Sequence, residues 1–154
     1  MSMISICSGF RLNMKKTFFD TWGWVAIAHK GDSHSKAVVS FYRNFLINEG
    51  IPLTSDYVLA ETITLLRSRT EPEGVKLFID TLLGGVRENR ILLAKIDEGR
   101  WKKAWEMSKK YADKPDISFT DFSSFVLMKE LGVSEVLTAD RHFEDIGSGF
   151  KKLF

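Results

Sequence analysis

Between Lys114 and Phe143 the chain reads KPDISFTDFSSFVLMKELGVSEVLTADRHF, and this stretch constrains the fold more than any other. Phe119, Phe122, Phe125, Val126 and Leu127 make an apolar stripe at helical spacing, and Ser118 and Thr120 offer hydroxyls where that helix begins. Gly132 tolerates the left-handed backbone that ends it. Val133 to Ala139 is then a short run with Val, Leu and Thr, the pattern of a parallel strand covered on both faces. Asp116, Asp121 and Asp140 fall at the junctions, Asp140 where the strand stops. In an open α/β sheet the carboxyl ends of the strands form the ligand-binding rim. A unit of this kind predicts a parallel sheet with an acidic edge.

The preceding chain repeats the alternation. Lys15 to Phe19 is a strand candidate ending at Asp20, and TWGWVAIAH follows as a helix. His34 to Asn48 is helical by spacing, Ile51 to Thr54 a second strand, and YVLAETITLLRSR a helix capped by Ser55 or Asp56. Pro72 opens another helix, with Gly84-Gly85 expected to end it. Arg90 to Ile96 is a third strand, and Asp97 caps a helix bearing Trp101, Ala104, Trp105 and Tyr111. After Asp140 come a DRHFEDI turn, Gly147-Ser148-Gly149 and a last apolar segment from Phe150 to Leu153. Strands alternating with helices predict a parallel sheet with helices on both faces.

At 154 residues the chain fits one domain with a sizeable core. Lys+Arg 22 against Asp+Glu 20 neither demands nor excludes a nucleic-acid partner, because a binding stripe depends on distribution rather than on the total. Cys7 is the one cysteine, so no intrachain disulfide forms and a reducing, cytoplasmic setting is expected. No apolar run has the length of a membrane span. Residues 1–14 are read as an N-terminal extension, poorly ordered or translated from an upstream start, because Met14-Lys15-Lys16 would itself serve as a beginning. Residues 15–154 form the single expected domain.

Each acid has an ordinary structural explanation. Asp20 is placed to cap the helix after it, Ser118-x-x-Asp121 matches a capping box, and Asp140 is placed to bond its own turn. Glu61 is harder to account for, since Tyr57, Val58, Thr64 and Leu65 surround it at helical spacing. Such a carboxylate needs a buried Arg or Lys, a hydrogen bond or a metal. As a set, Asp20 and Asp140 end two strands, while Glu61 and Asp121 are read as lying in the first turns of two helices that should start near the same rim. Like charges so close raise one another's pKa unless a divalent cation offsets them. Carboxylates suit Mg²⁺ or Mn²⁺, and no His/Cys ligand spacing indicates zinc. A cluster of this kind activates water in phosphodiester hydrolysis.

The order FFDTWGW, SDYVLAET, DISFTDFSSFVLMKELGVSEVLTADRHF and a closing GF resembles the PIN-domain family of ribonucleases, in particular its VapC-like toxins, over roughly residues 15–154. Ser-x-Thr-Asp followed by Thr-x-Asp-Arg-His-Phe is its most specific part. The resemblance implies a three-layer α/β/α sandwich around a parallel sheet and metal-dependent endonucleolytic cleavage of RNA. It assigns Asp20, Glu61, Asp121 and Asp140 to the catalytic and metal-binding acids, with Asp116, Ser118 and Thr120 supporting the pocket. It further implies a homodimer and, for a toxin, a small antitoxin whose C-terminal segment fills the cleft.

Around this set, Arg141 and Lys114 are weaker candidates for holding RNA phosphates, with Lys109, Lys110, Arg67 and Arg69 as further basic residues near the pocket. His29 and His34 are read as structural. Trp101 and Trp105, one helical turn apart, are read as core or dimer packing, and Trp22 and Trp24 as packing near the rim. Two other functions share the pattern. A phosphohydrolase with a strand-end Asp nucleophile is disfavoured because FFDTW lacks a second nearby Asp. A non-catalytic RNA- or protein-binding module would have no use for a complete acidic quartet.

Overall fold

The structure, a computed structural model, describes residues 14–146 and 148–154. Cys7 and the expectation for the N-terminal extension lie, apart from Met14, outside the described residues. Among the described residues five strands form one parallel sheet in the order β3-β2-β1-β4-β5: β1 Lys16–Phe19, β2 Ile51–Ser55, β3 Leu92–Ala94, β4 Glu135–Leu137 and β5 Lys151–Lys152. Seven helices among the described residues accompany them: α1 Thr21–Ala28, α2 Ser35–Ile47, α3 Asp56–Arg69, α4 Pro72–Arg87, α5 Glu98–Lys110, α6 Phe119–Glu130 and the short α7 His142–Asp145. The arrangement is the expected α/β/α sandwich.

The order of the strands decides where a site belongs. From β1 the chain moves outward through β2 and β3, then returns to place β4 on the other side of β1. Phe18 is in register with Leu53 of β2 and with Val136 of β4. The direction of winding therefore reverses between β1 and β4, and their carboxyl ends border a crevice at that switch point. Asp20 follows β1 directly and Asp140 follows β4.

Packing holds those two strands in place. Phe18, Phe19, Val136 and Leu137 are fully buried, within a core that includes Trp24, Leu53, Phe125, Leu127 and Phe143. Helix α1 is short and apolar on all sides, the composition of a helix enclosed in the core. Gly23 lets it lie directly on β4, since a Cβ there would sit 2.9 Å from Leu137 Cγ and from the Leu137 carbonyl oxygen.

Three expected caps form: Ser55 accepts from Val58 N, Asp97 accepts from Arg100 N, and Ser118 and Asp121 complete a capping box. Gly132 adopts φ +66° after α6. Other boundaries differ. Helix α4 runs through Gly84-Gly85 to Arg87, because Gly85 provides close approach to Ile91, whose Cδ1 would lie 2.9 Å from a Cβ there. The left-handed residue beyond that helix is Asn89, at φ +58°. Strands β3 and β4 are shorter than the apolar runs that contain them, and DRHFEDI contains a helical turn. Trp101 and Trp105 are not core residues: they are 41% and 49% exposed, with ring planes 25° apart. Among the described residues no helix is long and apolar enough to cross a membrane.

Candidate active site

The end of β1 delivers Asp20 into the crevice. It occupies the N-cap position of α1 with extended backbone, yet its side chain makes no capping hydrogen bond. It turns instead toward β4, where the Thr138 hydroxyl donates to Asp20 Oδ2 at 2.9 Å. The same hydroxyl oxygen accepts from Asp140 N at 3.0 Å. One buried threonine thus ties the two strand ends together.

Glu61, half-buried on α3, faces α1 and accepts the Thr21 hydroxyl at 2.6 Å. Among the described residues no lysine or arginine forms an ion pair with Asp20, Glu61 or Asp121, so the buried salt bridge considered for Glu61 does not form. Asp121 performs its ordinary role as well, with Oδ2 accepting from Ser118 N at 2.8 Å while Ser118 Oγ accepts from Asp121 N at 3.0 Å. Capping fixes the carboxyl group at the first turn of α6 and leaves it 9% exposed at the rim.

Electrostatics link the four acids. Burial pushes the Asp20 carboxyl up to about 7, and the charges of Asp121 and Glu61 push in the same direction. Burial also raises Asp121 to about 6, against the bonds from Ser118 and with Asp140 and Glu61 adding repulsion. Each of the four therefore acts on at least one other, and Asp20 and Asp121 are the pair most burdened by carrying charge.

His142 is the residue that the sequence pattern left out. Asp121, Asp140 and His142 each bring a ligand atom within 4.8 Å of the other two. Asp140 Oδ1 accepts from His142 N at 2.9 Å, which folds the histidine back over the acid. Its Nε2 lies 2.8 Å from Asp116 Oδ2. Burial lowers the affinity of His142 for a proton, but the hydrogen bond to Asp116 and the charge of Asp140 outweigh it and raise the pKa. The hydrogen bond to His142 in turn holds Asp116 below the usual carboxylate range. Asp116 and His142 are 26 residues apart, so no local spacing in the sequence signalled this contact.

The remaining candidates make local contacts of their own. Thr120 contributes its carbonyl oxygen, which accepts from the Ser123 and Ser124 hydroxyls. The Arg141 side chain is 79% exposed and pairs with Asp145 at 3.7 Å. Lys114 Nζ stands 5.8 Å from the centre of the Tyr111 ring.

A family profile for the PIN domain matches residues 17–149, which spans both strand ends and all four acids. The chain belongs to the PIN domain family. Among PIN relatives it is similar to the 23S rRNA-specific endonuclease VapC20 of two Mycobacterium tuberculosis strains, CDC 1551 / Oshkosh and H37Rv. In each case it is 27% identical over 130 residues, covering 84% of this chain and 93% of the relative. The crystal structure of M. tuberculosis VapC20, described as a Sarcin-Ricin loop cleaving toxin, superposes with a TM-score of 0.70 at 23% identity. That match covers 85% of this chain and 95% of the other and establishes the shared PIN fold.

PIN nucleases imply a divalent cation, and the residues present fit one. The donors are carboxylate oxygens at a strand-end crevice, two of them disfavoured as anions by burial and mutual repulsion, and among the described residues no lysine or arginine pairs with them. His142 Nδ1 is buried there without a hydrogen-bond partner. A bound cation relieves each of these conditions.

Proposed function

We propose that this chain is a metal-dependent endoribonuclease that hydrolyses RNA phosphodiester bonds, acting as the toxin of a toxin–antitoxin pair. Residues 15–154 serve as the nuclease domain, and a cytoplasmic homodimer restrained by a small antitoxin is the assembly that goes with this reading. The observation that carries it is the burdened pair Asp20 and Asp121 in the switch-point crevice, with Glu61 and Asp140 beside them.

In this reading Asp20, Glu61, Asp121 and Asp140 hold Mg²⁺ or Mn²⁺ or position the attacking water. When bound, the cation supplies a nucleophilic water near neutral pH and charge stabilisation at the scissile phosphate. The protein's own part is placement. Thr138 holds Asp20 against the Asp140 backbone, Thr21 orients Glu61, and the capping box presents Asp121. Lys114 and Arg141 contribute to holding the RNA backbone outside the crevice.

The relative's printed substrate makes 23S rRNA the first RNA to assay. Cleavage should require a divalent cation, stop with EDTA, and disappear in Asp20→Asn or Asp121→Asn while the circular dichroism spectrum stays native. Full metal-dependent cleavage by either variant would remove the assignment. A non-catalytic binding module would instead bind RNA without any metal-dependent product.

A further inference from the structure

His142 presents two nitrogens to two carboxylates, and the two contacts differ in kind. Nε2 meets the solvent-exposed Asp116 Oδ2 at 2.8 Å, and a carboxylate only accepts, so Nε2 carries the proton. Nδ1 lies 2.9 Å from Asp140 Oδ1, yet it is buried and makes no hydrogen bond of adequate geometry. That oxygen already accepts from His142 N. In the neutral imidazole, Nδ1 and Oδ1 are therefore two lone-pair atoms facing one another. Such a pair repels unless a proton or a metal ion lies between them.

We propose that His142 Nδ1 is a metal ligand, joining Asp140 and Asp121, and that Asp116 is the carboxylate that orients it. The inference rests on the nuclease reading and refines it by naming the class of cation. Metal-binding histidines characteristically donate their other ring N–H to a carboxylate, which fixes the tautomer and strengthens the ligand; Asp116 stands in that position. Neighbouring ligands of an octahedral ion with bonds of about 2.1 Å lie about 3 Å apart, close to the 2.9 Å between Nδ1 and Oδ1. A donor set of carboxylates with one imidazole favours a divalent first-row transition ion over Mg²⁺. His142 thus sets metal preference at a site otherwise built from oxygen.

The test uses the full chain with Mn²⁺ as the probe, read by pulsed electron paramagnetic resonance. The bound ion should show coupling to one imidazole nitrogen-14, and His142→Gln should abolish the coupling. By calorimetry His142→Gln should weaken Mn²⁺ binding about tenfold and Mg²⁺ binding less than about threefold, while Asp116→Asn keeps the nitrogen coupling and weakens Mn²⁺ about tenfold. Bound Mn²⁺ without nitrogen coupling in the unmodified chain, or coupling that survives in His142→Gln, overturns the inference. The first of these needs no variant, so misfolding of His142→Gln cannot obscure it. If RNA cleavage remains metal-dependent in that case, the nuclease reading stands alone. If no Mn²⁺ binds and cleavage ignores EDTA, both fall.

Discussion

Thr138 donates its hydroxyl to Asp20 Oδ2 across 118 residues of sequence, joining the ends of two neighbouring strands in the middle of the sheet. Its oxygen simultaneously receives Asp140 N. Thr138→Val keeps the shape and removes both bonds, leaving a buried carboxylate and a backbone N–H without their partner. A loss of about 1–3 kcal/mol is expected from urea unfolding. Metal affinity should fall about tenfold, as for other groups that orient a ligand. An unchanged urea midpoint would mean that the bridge contributes nothing.

Asp20 and Asp121 also fix how stability depends on pH. Both have folded-state pKa values above the ordinary 3.8, at about 7 and about 6. The folded protein therefore holds more protons than the unfolded chain through this range, and stability falls as pH rises from about 4 to 7. His142, also raised, acts in the same direction as pH passes its folded value, whereas exposed Asp116, which is lowered, opposes it only at acid pH. In EDTA the melting temperature should be higher at pH 5 than at pH 8. Added Mn²⁺ should raise it more at pH 8, because metal and protons compete for the same oxygens.

Asp20→Asn separates stability from activity. The amide oxygen still accepts from Thr138, but the buried charge is gone. Without metal at pH 8 the variant should be more stable than the parent by about 1 kcal/mol or more, with the difference shrinking toward pH 5 and vanishing below about pH 4. With Mn²⁺ added, RNA cleavage should be lost at either pH. A variant less stable at pH 8 would contradict the claim that this carboxylate is held there against its solvation.

Gly23→Ala probes the scaffold rather than the acids. The added methyl would meet Leu137 side-chain and carbonyl atoms at 2.9 Å, pushing α1 from β4. Overpacking of this kind costs about 1–3 kcal/mol. Because α1 begins directly after Asp20 and β4 leads into Thr138, cleavage should fall along with the urea midpoint.

What was legible in the chain was local. Ser118 and Asp121 form the capping box because three residues of helix geometry suffice to specify it. The strand ends at Asp20 and Asp140 were legible because apolar runs stop there. The use to which Asp20 is put was not, since a residue at an N-cap position gives no sign in sequence that its side chain will turn to a threonine just beyond another strand. Nor was the Asp116–His142 contact, which exists only once the loop before α6 and the turn after β4 are brought together. Gly85 was misread for a related reason: close approach to Ile91 and helix termination call for the same residue type. Trp101 and Trp105 matched an apolar face by spacing, but α5 leaves them at the surface.

If acids from separate parts of the chain share one cation, anomalous scattering from crystals grown with Mn²⁺ locates it directly. Density is expected in the crevice between the ends of β1 and β4, within bonding distance of Asp121 and Asp140 and bordered by Asp20 and Glu61. A crevice without anomalous density at saturating Mn²⁺, its acids neutralised by protons or by a lysine or arginine, would contradict a shared cation.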